Sequence, residues 1–343
     1  MKAMLLKQIS DLNVEKKPLE FSEIPEPIPG LNDILLKIKA CGVCHTELDE
    51  IEGRTPPPVF PVVPGHQVVG QVIEKGADVT KFKIGDRAGV AWIYASCGTC
   101  EFCINGLDNL CPDFRATGRD AHGGYAEYMK IHENYAYPIP DFFDDAEAAP
   151  LFCAGAIGYR SLNLTHIRNG QTLGLTGFGA SAHLVLKLSQ HLYPQTRVVV
   201  FARSEKERAF ALELGAVWAG DIGENAPEKL TAIIDTTPVW KPILTSLENL
   251  KPGGRLVINA IRKEEVDKSQ LLSLHYPDHI WMEKEIKSVA NVSRKDVAEF
   301  LEIAASAEIK PQIQQYALLE ANQALLELKN KKIKGSKVLV LFN

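Results

Sequence analysis

Residues 172–192 read TLGLTGFGASAHLVLKLSQHL: an apolar strand-like run, a glycine turn and a helical run. The turn, Gly177-Phe178-Gly179-Ala180-Ser181-Ala182, is G-x-G-x-x-A. Alone the string says little, but between a strand and a helix start it is a phosphate cradle. The first glycine makes the turn, the second lets a pyrophosphate approach the backbone, and the small third residue lets helix and strand pack closely. The helix start adds free N–H groups and a partial positive charge. Working outward, RVVVFA (197–202), SEKERAFALELGA (204–216), TAIIDTT (231–237), RLVINA (255–260) and IKSVAN (286–291) continue an alternation of strands and helices. That pattern implies parallel strands joined by crossover helices. Ser204 and Glu207 read as a capping box with Gly215 closing the helix, and Lys251-Pro252-Gly253-Gly254 as a tight turn ahead of a strand. A site for NAD expects Asp or Glu at the end of the second strand, to hold the ribose hydroxyls. Here the strand ends Phe201-Ala202-Arg203-Ser204. The missing acid and the arginine favour the 2′-phosphate of NADP, the alternative being an arginine merely exposed at a helix start.

On either side the character changes. The first 150 residues are rich in Pro and Gly, with short β-like runs such as DILLKIKA (33–40) and QVVGQVIEKG (67–76), and read as an irregular, mostly antiparallel β domain. After Asn291 come a capped helix from Ser293, a β run QIQQYAL (312–318), a helix from Leu319 and a final strand KVLVLF (337–342).

Four cysteines crowd into ASCGTCEFCINGLDNLCPD (95–113): Cys97, Cys100, Cys103 and Cys111, spaced C-x2-C-x2-C-x7-C. Several thiolates in one small volume are favourable only when a cation or an oxidant binds them together. Two-residue separations suit a metal turn better than structural disulfides. A closed four-cysteine zinc site would hold a loop and do no chemistry. An iron–sulfur cluster is the rival, because C-x2-C-x2-C and Pro112 after the last cysteine are ferredoxin-like. The spacing leaves both open.

The 343-residue chain, 45% hydrophobic and 24% charged, has the make-up of an ordinary globular protein of two domains. A net charge of −5 and a pI near 6.0 give no basic footprint for nucleic acid, and the Lys329–Lys334 stretch reads as a solvated helix end. The N-terminal MKAMLLKQISDLNVEKK breaks into charges before a signal-peptide core could form, and no apolar run approaches a membrane span. The expectation is a cytoplasmic protein without a membrane partner, whose seven cysteines stay as thiols or ligands.

Taken with Cys44, His66 and Cys153, these features resemble the zinc-dependent medium-chain alcohol dehydrogenases over nearly the whole length. The resemblance rests on ACGVCHTE (40–47), Pro64-Gly65-His66, VTKFKIGDR (79–87), the four-cysteine loop, GGYAE (123–127), LFCAG (151–155) and GFGASAH (177–183). It implies a GroES-like β domain, residues 1–154 completed by 292–343, and a doubly wound parallel-sheet Rossmann domain, residues 155–291. It also implies two zinc ions. Cys44, His66 and Cys153 would hold the catalytic one with a fourth position open, and Cys97, Cys100, Cys103 and Cys111 the structural one, in place of an iron–sulfur cluster.

In the resemblance Cys41 is not a ligand. Thr46 matches the hydroxyl that meets the substrate oxygen and passes its proton outward, and Glu47 the carboxylate that orients the ligand histidine. The implied activity is hydride exchange between a small alcohol or aldehyde and NAD(P), with NADP(H) favoured over NAD(H) by the Ala202-Arg203 strand end, by a homo-oligomer, a dimer or tetramer. Two positions depart from the family. Gln67 replaces the usual Glu after the ligand histidine, and Asp49 stands where the outer proton relay often has His. The relay would then run through Asp49 and a water, through His45, or end at the ribose. Trp92, Ile93 and Tyr94 are candidate pocket walls, a core role being the alternative. The rival functions are a related reductase acting on another carbonyl or an activated C=C bond, and a zinc-stapled binding protein without turnover.

Overall fold

The computed structural model describes residues 1–330 and 335–341. The Lys329–Lys334 stretch therefore falls largely outside the described residues. The chain divides into two compact units, one formed by Met1–Ala156 with the residues from Val292 onward, the other by Ile157–Asn291.

The Ile157–Asn291 unit is built on a six-stranded sheet whose order is Trp218–Gly220, Arg197–Phe201, Thr172–Thr176, Leu230–Asp235, Leu250–Ile258, Glu285–Ser288. Every neighbouring pair is parallel. This is the doubly wound Rossmann arrangement, and the strand order reverses between Thr172–Thr176 and Leu230–Asp235. Strands buried on both faces read as continuous apolar runs rather than alternating ones. Thr172–Thr176 is buried at every position, and Val199, Phe201, Ile233, Leu247 and Leu256 meet in the core.

Two local expectations fail here. Lys251-Pro252-Gly253-Gly254 is not a turn before a strand: the strand begins at Leu250, and these four residues bulge out between the partners Leu230↔Leu250 and Ala232↔Arg255. The Pro-Gly-Gly chemistry is accommodated as a bulge because apolar Leu250 is itself sealed into the core. The Ser204–Glu207 capping box does not form either. Ser204 is the N-cap of helix Glu205–Glu213 but makes no side-chain cap. Arg208 ties the helix entry instead, donating to the carbonyls of Ala202 (2.8 Å) and Arg203 (3.0 Å).

The other unit is the GroES-like domain. Its main sheet runs Ile313–Ala317, Ser336–Val340, Asp33–Val43, Val68–Lys75, Arg87–Val90, Ala136–Pro138, with Tyr128–His132 also pairing Asp33–Val43. Ile313–Ala317 and Ser336–Val340 pair in parallel and the other pairs are antiparallel, so residues 313–340 complete a sheet begun by residues 33–43. The cap expected at Ser293 is formed, and it is a capping box in which Ser293 and Asp296 close the start of helix Arg294–Ser306. Phe152 is fully buried against Gly89, where a Cβ would lie 1.8 Å from the Phe152 ring. That glycine lets the segment carrying Cys153 sit down on the sheet. Among the described residues no helix is long and apolar enough to cross a membrane.

Candidate active site

Cys44 closes the strand Asp33–Val43 and caps the helix His45–Ile51. A thiol at an N-cap faces the unpaired N–H groups of the first turn, which stabilise negative charge there. Thr46 N–H points at Cys44 Sγ (3.4 Å), and the Cys44 N–H donates to Glu47 Oε2 (2.8 Å). The other Glu47 oxygen accepts from His66 Nδ1 at 2.6 Å, leaving His66 Nε2 turned toward Cys44 Sγ at 3.6 Å. Cys153 follows the short 3-10 helix Ala149–Phe152, its N–H bonded to the Pro150 carbonyl.

The ligand atoms of Cys44, His66 and Cys153 lie within 4.8 Å of one another, and so do those of Cys97, Cys100, Cys103 and Cys111. Both sets fit a metal. Zinc at about 2.3 Å from tetrahedral sulfurs spaces them about 3.8 Å apart, and Cys97 Sγ and Cys103 Sγ are 3.9 Å apart.

The electrostatics of the first set point the same way. The neighbouring Cys153 thiol and burial push the Cys44 thiol well above its ordinary range. At His66 burial acts downward, but Glu47 and Cys44 outweigh it and hold the imidazole's pKa well above normal. A field that favours a proton on a buried ring also favours a metal cation in front of it. In the four-cysteine loop, the Thr99 and Cys100 N–H groups bring Cys97 down to about 6, while burial drives Cys111 up to about 12. The loop is braced by Tyr135, whose hydroxyl donates to the Ser96 carbonyl (3.1 Å) and accepts from the Ser96 N–H (2.9 Å), while Cys103 Sγ lies 3.4 Å from Ser96 Oγ.

Around the three-ligand set, Thr46 is buried and His45 exposed. Asp49 is buried and accepts from Arg54 Nε at 2.5 Å, so this relay candidate is a carboxylate held in an ion pair. Gln67 is buried, and its Nε2 has no hydrogen-bond partner among the described residues. Cys41 is fully buried outside both sets. Ile93 is 1% exposed and belongs to the core, so that pocket-wall candidate takes the core role. Trp92 and Tyr94 are half-buried, with Arg119 and Arg115 over their rings.

Sequence reasoning missed Glu50, which is 1% exposed with one carboxylate oxygen that has no hydrogen-bond partner among the described residues. Burial, then Glu47, raises its carboxyl well above the usual range. Its place one helical turn after Thr46 was the available signal.

In the Ile157–Asn291 unit the glycine turn Gly177–Ala182 links strand Thr172–Thr176 to helix Ala180–Leu192. Gly177 adopts φ +79° and its N–H meets the Phe201 carbonyl at 2.8 Å. A Cβ at Gly177 would lie 2.7 Å from Thr236 Oγ1, whereas one at Gly179 would have no neighbour within 4 Å, the open approach a pyrophosphate needs. Gly179 caps helix Ala180–Leu192 without a side chain, so nothing at the cap position itself occupies the helix start. Ala182 is fully buried, and Phe178 packs edge-on to Phe210. At the end of the next strand Ala202 is buried, while Arg203 and Ser204 are exposed.

Comparison with known proteins agrees with this picture. The alcohol dehydrogenase GroES-like domain family matches residues 30–141. The chain is 40% identical to "Probable alcohol dehydrogenase AdhA" of Mycobacterium tuberculosis over 329 residues, 94% of this chain and 93% of that one. It is 33% identical to an alcohol dehydrogenase of Geobacillus stearothermophilus over 96% of this chain and 98% of the relative. Among solved structures, a cinnamyl alcohol dehydrogenase of Sorghum bicolor superposes with a TM-score of 0.83 at 27% identity, covering 99% of this chain and 97% of that one. The chain belongs to the zinc-dependent medium-chain alcohol dehydrogenase family, a family of oxidoreductases.

Proposed function

We propose that the protein is a zinc-dependent alcohol dehydrogenase and aldehyde reductase that exchanges hydride with a nicotinamide dinucleotide, NADP(H) being favoured over NAD(H). The observation that carries this reading is the convergence of Cys44, His66 and Cys153 within 4.8 Å, with Thr46 two residues after the first of them. Three protein ligands leave a position for substrate, and four cysteines leave none. Cys44, His66 and Cys153 would therefore hold the catalytic zinc, and Cys97, Cys100, Cys103 and Cys111 the structural one. Bound there, catalytic zinc supplies Lewis acidity toward a hydroxyl or carbonyl oxygen, and the nicotinamide supplies the hydride acceptor or donor.

The chain's own groups orient the reactants and move the proton. Glu47, by accepting from Nδ1, fixes the His66 tautomer with its Nε2 lone pair available. The Thr46 hydroxyl meets the substrate oxygen and carries its proton outward. From there exposed His45 offers an imidazole, and Asp49 a carboxylate already shared with Arg54. Gly177 to Ala182 would cradle the pyrophosphate. Arg203 would meet the 2′-phosphate of NADP with a guanidinium that has no ion-pair partner among the described residues, next to the Ser204 hydroxyl that caps nothing.

The expected homo-oligomer has a candidate surface. Edge strand Glu285–Ser288 is exposed at every position, and Leu272, Leu274, Tyr276, Trp281 and Met282 before it are exposed too. An exposed strand edge flanked by apolar side chains is a natural pairing surface for a second copy.

A panel of primary, secondary and aromatic alcohols and aldehydes, run with both cofactors, tests the assignment. Turnover of an alcohol–aldehyde pair with a higher kcat/KM for NADP(H) is the expected result. Turnover confined to activated C=C bonds would make the protein a related reductase, and turnover of nothing would contradict the assignment.

A further inference from the structure

The loops that leave strands Leu230–Asp235 and Leu250–Ile258 are laced together by one buried ion pair. Lys263, with its side chain 7% exposed, reaches back to Asp235, which is 0% exposed at the end of its strand. Lys263 Nζ donates to Asp235 Oδ2, to the Thr237 carbonyl at 2.7 Å and to the Val239 carbonyl at 3.1 Å. All three ammonium protons are thus used, and none is left for a ligand. The second Asp235 oxygen accepts from the Thr237 hydroxyl at 2.8 Å. Further ties run between the same two loops. The Glu264 N–H meets the Pro238 carbonyl at 2.7 Å, and Asp267 accepts from the N–H groups of Trp240 and Lys241 at 2.8–3.0 Å. The second loop reaches the glycine turn as well: the Asn259 N–H bonds the Asp235 carbonyl at 2.8 Å, and the Asn259 amide approaches Ser181 Oγ at 3.5 Å.

Burying a lysine and an aspartate costs desolvation of both charges, and apolar residues of similar volume would often do as well for stability. The position of the pair suggests what it does. A dinucleotide lies across the point where strand order reverses, one nucleotide on each half of the sheet. Here the adenosine half falls to strand Arg197–Phe201 and Arg203, so the other half falls to the ends of Leu230–Asp235 and Leu250–Ile258, the ends that Lys263 and Asp235 fasten.

We infer that Lys263, through Asp235, is a positioning residue for the nicotinamide half of the cofactor: it holds the loops 236–241 and 259–267 as a preformed floor, so that binding does not have to order them. The inference rests on the proposed dinucleotide function. It predicts a split between ligands that a merely structural role would not produce, since ordering a floor under one half leaves the other half's contacts intact.

The test compares the preferred reduced cofactor with ADP-ribose carrying the same 2′ substituent, which lacks the nicotinamide ring. Lys263→Met is the direct variant. Because it strands a buried carboxylate, the double variant Asp235→Asn, Lys263→Gln, which is neutral at both positions, is measured beside it. The double variant should keep its circular dichroism spectrum and bind the ADP-ribose ligand within twofold of wild type, while its affinity for the reduced cofactor falls tenfold or more. Equal loss for both ligands, or no loss for either, would overturn the inference. A wild type that binds neither ligand would instead overturn the dinucleotide assignment on which it rests.

Discussion

Cys97, Cys100, Cys103 and Cys111 come from one loop of fifteen residues, whereas Cys44, His66 and Cys153 come from a helix N-terminus, a turn before a strand and the end of a 3-10 helix. The loop acts on its own thiols, N–H groups of Thr99 and Cys100 lowering Cys97 to about 6 while burial raises Cys111. The dispersed set depends on the fold. The GroES-like sheet brings its members together, Gly89 makes room for Phe152 beside Cys153, and Glu47 turns His66. A local set of this kind can act as a staple, with metal binding contributing to folding. A dispersed set with an open position needs the fold first and can then serve chemistry.

Substitution at one cysteine in each set gives the sharpest contrast. Cys44→Ser should abolish turnover while the circular dichroism spectrum and Tm stay near wild type. Cys103→Ser should act on stability first, lowering Tm by roughly 6–12 °C if about 3 kcal/mol of metal-linked folding energy is lost. Comparable Tm losses in the two variants would erase the distinction between staple and reactive site.

Within the dispersed set, Thr46→Val removes the hydroxyl and keeps the shape. It should lower kcat by roughly 10²-fold, the scale of lost proton-transfer catalysis, with zinc content unchanged. Thr46→Ser should retain most of the rate. A near-normal rate in the valine variant would remove Thr46 from the relay and turn attention to buried Glu50.

The smallest expected effect concerns the cofactor. Charge-assisted contacts to a 2′-phosphate are worth about 1.5–3 kcal/mol, a ten- to hundredfold preference. Arg203→Ala should shift the kcat/KM ratio toward NAD by that factor, and Ala202→Asp should shift it further by repelling the phosphate. A wild type that prefers NAD would refute this reading of the strand end.

What the sequence disclosed followed the same local-versus-dispersed divide. The four-cysteine spacing and the strand–GFGASA–helix pattern were legible because their geometry is set within a few residues, and the strand, the turn with Gly177 at positive φ and the helix all form. No spacing rule links Cys44, His66 and Cys153, and only the family resemblance grouped them. Local rules failed where tertiary partners outcompeted them. Arg208 took over the helix entry that Ser204 was expected to cap, and burial of Leu250 drew Lys251–Gly254 into a strand as a bulge. The Lys263–Asp235 pair left no sequence signal, since its members are 28 residues apart and meet only once the sheet is formed.

The most direct test of the account is the zinc content of the purified wild-type protein, measured by elemental analysis against chain concentration. Two zinc ions per chain are predicted, falling to about one in Cys44→Ser. One zinc per chain in wild type, or the visible absorbance of an iron–sulfur cluster, would contradict the account.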